Sequence, residues 1–267
     1  MLYSFDLMMG GGHIEGYRVN KEELLQGIYD ALIKLKSQDT FRRKYNTGTS
    51  ASPMLFAVGD GNHSLATAKA CWEKIKKSLS DNEKAYHPAR YALVELVNIH
   101  DPALQFEPIH RILFNVDASR LLNAFVKFYR DKGFDCGYEY TDDTGRIPQN
   151  SGERHSIPFV IGAKTGFIWV NKPPFTIDVA TLQNFLDHFL RENHDVYIDY
   201  VHGRDVVEKL CRTESNMGFL LSPMDKGDLF KTVIADGALP RKTFSMGEAE
   251  EKRYYLECRK IIPGYLR

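Results

Sequence analysis

The stretch MLFAVGDGNHSLATAKACWEKIKK, Met54 to Lys77, decides how this chain is read. An apolar run over 54–58 predicts a short strand. The spacing of Leu65, Ala68, Cys71, Trp72, Ile75 and Leu79 predicts a helix over 64–79. Between the two lie Gly59, Asp60, Gly61, Asn62, His63 and Ser64. A strand-to-helix turn needs a glycine and little else, so this density of polar groups points to a ligand. The first turn of a helix leaves backbone N–H groups unpaired and carries partial positive charge. Such an end binds anions, phosphate above all. Gly61 lets the backbone approach a ligand closely. Ser64 can cap the helix or donate to a phosphate oxygen. His63 can donate to phosphate or shuttle a proton. Asp60 can orient a hydroxyl, act as a base or hold magnesium. The competing reading is a plain capped turn in which Asp60 bonds its own backbone. The turn is neither a P-loop nor a GxGxxG fingerprint, because Ser64 stands at the third glycine position.

Outward from this turn, strand and helix patterns alternate. Helical periodicity marks 21–36, 117–131, 178–192, 204–211 and 226–235, with Asp117 or Ser119 capping the second of these. Strand patterns fall at 91–97, 109–114, 196–201 and 217–221, and 157–170 reads as a hairpin turning at Ala163-Lys164-Thr165-Gly166. The fold class is therefore α/β or α+β, mixed sheets with helices. A soft boundary divides the chain into parts 1–116 and 117–267.

Composition limits the function classes. Hydrophobic residues make up 43% and charged residues 26%, with 35 Lys+Arg against 35 Asp+Glu. A net charge of zero provides no global field for nucleic acid or an anionic membrane, so neither is expected as a partner. No apolar run approaches the roughly 20 residues that span a bilayer. The four cysteines are scattered without a CxxC pair, which suits reduced thiols and a cytoplasmic setting. The expected partner is a small-molecule substrate, and homo-oligomerisation is left open.

Three further stretches carry candidate chemistry. His110-Arg111 stands at the edge of an apolar run and suits an anion. Arg241-Lys242-Thr243 follows a helix and a Gly237 stop, and two cations with a hydroxyl suit phosphate or carboxylate. Gly10-Gly11-Gly12-His13 is a loose loop beside a histidine. His13, Asp60, His63 and His110 together make a metal site a minority reading, since none has the local spacing of a zinc motif.

Four segments together resemble a known family. VGDGNHSLATAKA (Val58–Ala70), ELVNIHDPALQFEPIHRIL (Glu95–Leu113), MGFLLSP (Met217–Pro223) and ADGALPRKTF (Ala235–Phe244) are similar, in order, to the uncharacterised bacterial family called domain of unknown function 1015. Members of that family are usually longer at the N-terminus, so this sequence is expected to lack the family's N-terminal part. The family's turn reads Asp-Gly-His-His-Arg and resembles the phosphate-binding turn of the ParB/sulfiredoxin-like fold, which includes free-serine kinases. The resemblance implies a ParB/sulfiredoxin-like core in 1–116 and a second α/β lobe after it. Asp60, Gly61 and His63 match the family's turn, whereas Asn62 replaces the first histidine and Ser64 the arginine. Loss of that arginine removes a bidentate phosphate clamp. Arg111, Arg241 or Lys242 would then supply the charge, with Lys242 standing for the family's C-terminal lysine.

The expectation is a nucleotide-dependent phosphotransferase on a small hydroxylated metabolite, using a nucleotide with magnesium. Asp60 and His63 would be its catalytic residues. Gly61, Asn62, Ser64, His110, Arg111, Arg241, Lys242 and Thr243 would bind phosphate and substrate. The alternatives are a non-catalytic nucleotide- or anion-binding regulatory protein and a metal-assisted hydrolase.

Overall fold

A computed structural model describes residues 1–46, 52–59, 61–247 and 256–262. The chain forms two compact units, Met1–Asp101 with Glu248–Arg267 and Pro102–Gly247.

The first unit opens with an antiparallel hairpin, β1 (Tyr3–Asp6) and β2 (His13–Gly16). Helices follow: α1 (Glu22–Leu35), α2 (Gln38–Tyr45), α3 (Asn62–Ile75) and α4 (Asp81–Tyr86). Local sequence sets their ends. Ser37 caps α2 by accepting from the Thr40 amide, and Ser80 with Glu83 makes a reciprocal capping box on α4. α1 has the apolar stripe its periodicity announced, yet Leu24, Leu25 and Ile28 remain about half exposed. The strands expected at 54–58 and 91–97 are not formed: both segments are without a ladder. A run of apolar residues becomes a strand only where a neighbour completes its hydrogen bonds. Here Phe56, Val58, Leu93 and Val94 are all more than half exposed. Tyr91, at the start of the second segment, is instead held by Arg259, whose guanidinium donates to the carbonyls of Pro88 and Tyr91.

The second unit holds the main core. Its strands are β3 (Phe106–Pro108), β4 (His110–Phe114), β5 (Cys136–Tyr140), β6 (Arg154–Ile161), β7 (Lys164–Asn171), β8 (Tyr197–Val201), β9 (Met217–Phe219) and β10 (Phe244–Met246). Its helices are α5 (Ala118–Arg130), α6 (Asp178–Glu192), α7 (Arg204–Leu210) and α8 (Asp228–Asp236). Six strands make one antiparallel sheet in the order β5-β7-β6-β9-β4-β8, and β10 pairs with β3 apart from it.

Strand alternation sorts side chains to opposite faces. Leu113, Ile157, Phe159, Met217 and Phe219 pack against Leu121, Phe125, Leu182 and Phe185 of α5 and α6. Ile112, Val160 and Leu220 face the other way, onto Val207 and Cys211 at α7. The hairpin turn lies nearer Gly162 than the expected 163–166. Ile161 pairs with Lys164, and Gly162 takes a left-handed φ of 58°, which glycine adopts without strain. Gly166 is instead a strand residue, pressed against the Glu139 backbone and the Phe159 ring.

Helix α7 comes close to the sheet because Gly218 has no side chain. A Cβ there would overlap Val207 and the Cys211 sulfur. Gly218→Ala is therefore expected to destabilise the unit by roughly 1–3 kcal/mol through overpacking. Gly152→Ala, with open space around it and an ordinary φ, serves as the control and should stay within about 0.5 kcal/mol. Urea unfolding of both variants checks the contrast.

Candidate functional site

The sequence-derived site residues divide between the units. Gly61, Asn62, His63 and Ser64 belong to the first, and His110, Arg111, Arg241, Lys242 and Thr243 to the second. Asp60 lies outside the described residues.

At the turn, Gly61 takes a left-handed conformation (φ 74°, ψ 14°) and α3 starts at Asn62. The helix has no side-chain cap, so Ser64 does not cap it. The first intrahelical bond runs from the Leu65 amide to the Gly61 carbonyl at 2.9 Å. Hence the amides of Asn62, His63 and Ser64 point out of the helix end without a partner among the described residues. All three residues are exposed, with no carboxylate in the first turn. Amides without a partner among the described residues, beside a hydroxyl and an imidazole, make a solvent-accessible helix end of the geometry that suits an anion.

The second group is built differently. Arg111 is completely buried. Its Nη1 donates to the carbonyls of Ile109 (2.5 Å) and Lys242 (2.7 Å), its Nη2 to Arg241 (3.0 Å) and its Nε to Gln183 Oε1 (3.2 Å). The guanidinium also lies over the Tyr200 ring at 5.0 Å. Four of its five N–H groups are thus committed to neutral acceptors. Burial lowers its pKa to about 10, which leaves it charged at neutral pH. This arginine, expected to clamp an external anion, clamps the backbone of the 240–243 turn instead.

That turn carries the other flagged residues. Arg241 reaches Tyr200 Oη at 2.7 Å and Asp187 Oδ1 at 2.7 Å, and the Tyr200 bond leads the causes that raise its pKa. Thr243 Oγ1 donates to the Pro240 carbonyl at 2.6 Å, closing the turn on itself. Lys242 adopts a left-handed φ of 54°, and its side chain is exposed. His110 is buried, and its Nδ1 accepts from the Leu221 amide at 3.1 Å. Burial, followed by the charge of Arg111, holds its pKa below the usual imidazole range. His110 therefore braces the strand end after β9. His13 sits in the hairpin, between Asp6 (2.7 Å) and Ser4 (2.9 Å). Among the described residues, no three His, Cys, Asp or Glu side chains gather where a metal ion could be held. All four cysteines are free.

A polar seam not anticipated from sequence surrounds Arg111. Gln183 links it to Asp187, donating from Nε2 at 2.8 Å. Asp178, first residue of α6, accepts from its neighbour's amide at 2.7 Å and from Asn150 at 2.6 Å, while burial raises its pKa. His155 is buried with its Nδ1 2.8 Å from Thr181 Oγ1. A signal for this seam was present: Asp178, Thr181 and Gln183 are polar positions within an otherwise apolar helical stripe.

A mixed sheet-and-helix protein with an exposed helix end at Asn62–Ser64 and an internal arginine clamp is the class these features define. The family model described as "Protein of unknown function (DUF1015)" matches residues 1–189, and the chain belongs to that family. The match spans the turn and Arg111 but ends before Arg241. No curated protein matches the chain. A solved structure described as a conserved hypothetical protein from Pyrococcus furiosus is similar at 11% identity and a TM-score of 0.41. That likeness covers 57% of this chain and 60% of the other, so this chain spans about three fifths of that relative. Among the described residues, no helix is long and apolar enough to cross a membrane.

Two outcomes follow from the buried groups. Arg111→Lys keeps the charge but loses the fork, and is expected to cost about 2–4 kcal/mol in denaturant unfolding. It should also speed tryptic cleavage at Arg241 and Lys242, because among the described residues Arg111 alone holds both their carbonyls. For His155, burial lowers the pKa from 6.5 to about 4. The unfolded chain then binds the extra proton first as pH falls. The stability contribution is complete above pH 6.5 and is lost as pH drops towards 4. It amounts to on the order of 3 kcal/mol. Unfolding of wild type and His155→Gln across this window should show a flatter acid limb in the variant.

Proposed function

We propose that this protein is a nucleotide-dependent phosphotransferase acting on a small hydroxylated metabolite, with phosphate held at the N-terminus of α3. The observation that carries the reading is the set of amides at Asn62, His63 and Ser64, without a partner among the described residues and presented by a left-handed Gly61. A phosphate accepts several such bonds at once, and the helix dipole adds to them. The likeness of the turn to that of ParB/sulfiredoxin-like kinases supports the same ligand.

In this reading the amides and the Ser64 hydroxyl position the phosphate. His63, exposed beside them, takes the acceptor's proton, a role shared with Asp60. Arg111 and Arg241 are engaged inside their own unit. The countercharge that phosphoryl transfer requires then falls to magnesium carried with the nucleotide.

Thermal-shift titration with ADP, ATP, CTP and GTP, each with magnesium, tests this on wild type, His63→Ala and Ser64→Ala. A ligand that binds only the folded state stabilises it by about 2.7 kcal/mol at a hundredfold excess over Kd. One nucleotide is expected to raise Tm, and both variants should lose most of the shift. A flat response to all four nucleotides overturns the nucleotide reading.

A further inference from the structure

The first unit carries a face that the proposed chemistry does not use. Along α1, Leu25, Ile28, Leu32 and Leu35 recur at steps of three and four, the a and d positions of two heptads. Leu24 and Tyr29 widen this stripe, one on each side. A stripe of this kind normally turns to a core. Here Leu24, Leu25, Ile28, Tyr29 and Leu35 are all about half exposed, Leu32 is half-buried, and no residue of α1 is buried. With 14 residues, α1 is of a length at which a helix standing alone in water is marginal. Packing of the apolar face is what makes such helices stable. Among the described residues, the stripe lacks the partner its sequence is built for.

The charges on the helix identify that partner. Glu22 and Glu23 stand in the first turn, Lys34 in the last and Lys36 at the C-cap. Glu22, Tyr29 and Lys36 recur every seventh residue, so they line one flank of the stripe, acid at its start and base at its end. Neither Glu22 nor Lys36 has an ion-pair partner among the described residues. A second α1 packed parallel sets like ends together and offers this flank only Leu24 and Ala31. Packed antiparallel, the same flank meets itself in reverse. Glu22 then faces Lys36 of the second copy at both ends, and the two Tyr29 rings meet at the axis. Leu25 stacks on Leu35 and Ile28 on Leu32. The two helix dipoles also oppose each other. The flank thus complements itself, which is the requirement of a two-fold interface.

We infer that this chain pairs with a second copy through α1, as an antiparallel two-fold dimer. The contact strip is about 21 Å long and about 10 Å wide. That is well below the roughly 800 Å² each partner contributes to a standard interface. The dimer is therefore weak, with a Kd on the order of 100 μM, and forms only where the chain is concentrated.

Sedimentation equilibrium of the full chain, from about 10 μM to about 1 mM, tests this. A monomer–dimer equilibrium is expected, with nothing larger, because a two-fold contact closes. Ile28→Glu puts a charge in an inner layer of the strip. It should leave a monomer at every concentration with an unchanged far-UV spectrum, since Ile28 is half exposed within its own chain. Glu22→Lys and Lys36→Glu each turn the attraction at both ends into repulsion and should weaken the dimer about fivefold. The double charge reversal restores both pairs and should recover most of that loss. Both reversals oppose the dipole of α1, so recovery cannot come from a more stable helix. A monomer throughout, or a dimer indifferent to Ile28→Glu, overturns the inference. So does a double reversal that dimerises more weakly than either single one, or assembly beyond the dimer.

Discussion

A charged guanidinium in a buried core is the constraint around which the second unit is organised. Arg111 sits on β4, a strand hydrogen-bonded on both sides, with Phe219 and Tyr200 as its cross-strand neighbours. Among the described residues, no carboxylate bonds it directly. The charge is instead distributed over three backbone carbonyls and one amide oxygen. Charged donors form stronger bonds than neutral ones, and removing water makes each stronger still. The consequence is mechanical. A residue of the sheet grips a turn more than a hundred positions later in the chain. That grip sets where Arg241 emerges, and Arg241 in turn orients Asp187 and Tyr200.

The same site shows how a motif and its use can separate. Arginine beside histidine at a strand edge has the right chemistry for binding an anion. What decides the matter is direction. Alternation along β4 sends Arg111 to the α6 side of the sheet, where Gln183 and the 240–243 carbonyls wait. His110 goes to the opposite side and meets the Leu221 amide. Neither fact is visible in the dipeptide, because both depend on which residues the topology brings opposite.

The α3 turn is the converse case. Its backbone geometry is local, and so it was legible. A glycine able to take a positive φ, followed at once by a helical pattern without an acidic first turn, specifies a helix end whose amides remain open. No long-range contact is needed to create that arrangement. The apolar run before it misled for the same reason turned round. A strand is a relationship between two segments, and among the described residues 54–58 has no second member.

By itself, the sequence determined the elements whose causes are short-ranged. The periodicities of α1, α5 and α6, the Asp117 cap, the hairpin and the helix-end turn were all readable, because neighbouring residues within one or two helical turns decide them. So was the family, through four motifs in order. Only the tertiary structure decided which apolar runs found a ladder and that Arg111 is a backbone clamp. It also decided that Gln183, Asp187, Thr232 and Asp236 meet around one pocket. Gln183 and Asp187 lie on α6 and Thr232 and Asp236 on α8, far apart along the chain, so only tertiary packing brings the two pairs together. Periodicity records which face of an element is apolar, but not what another part of the chain places against it.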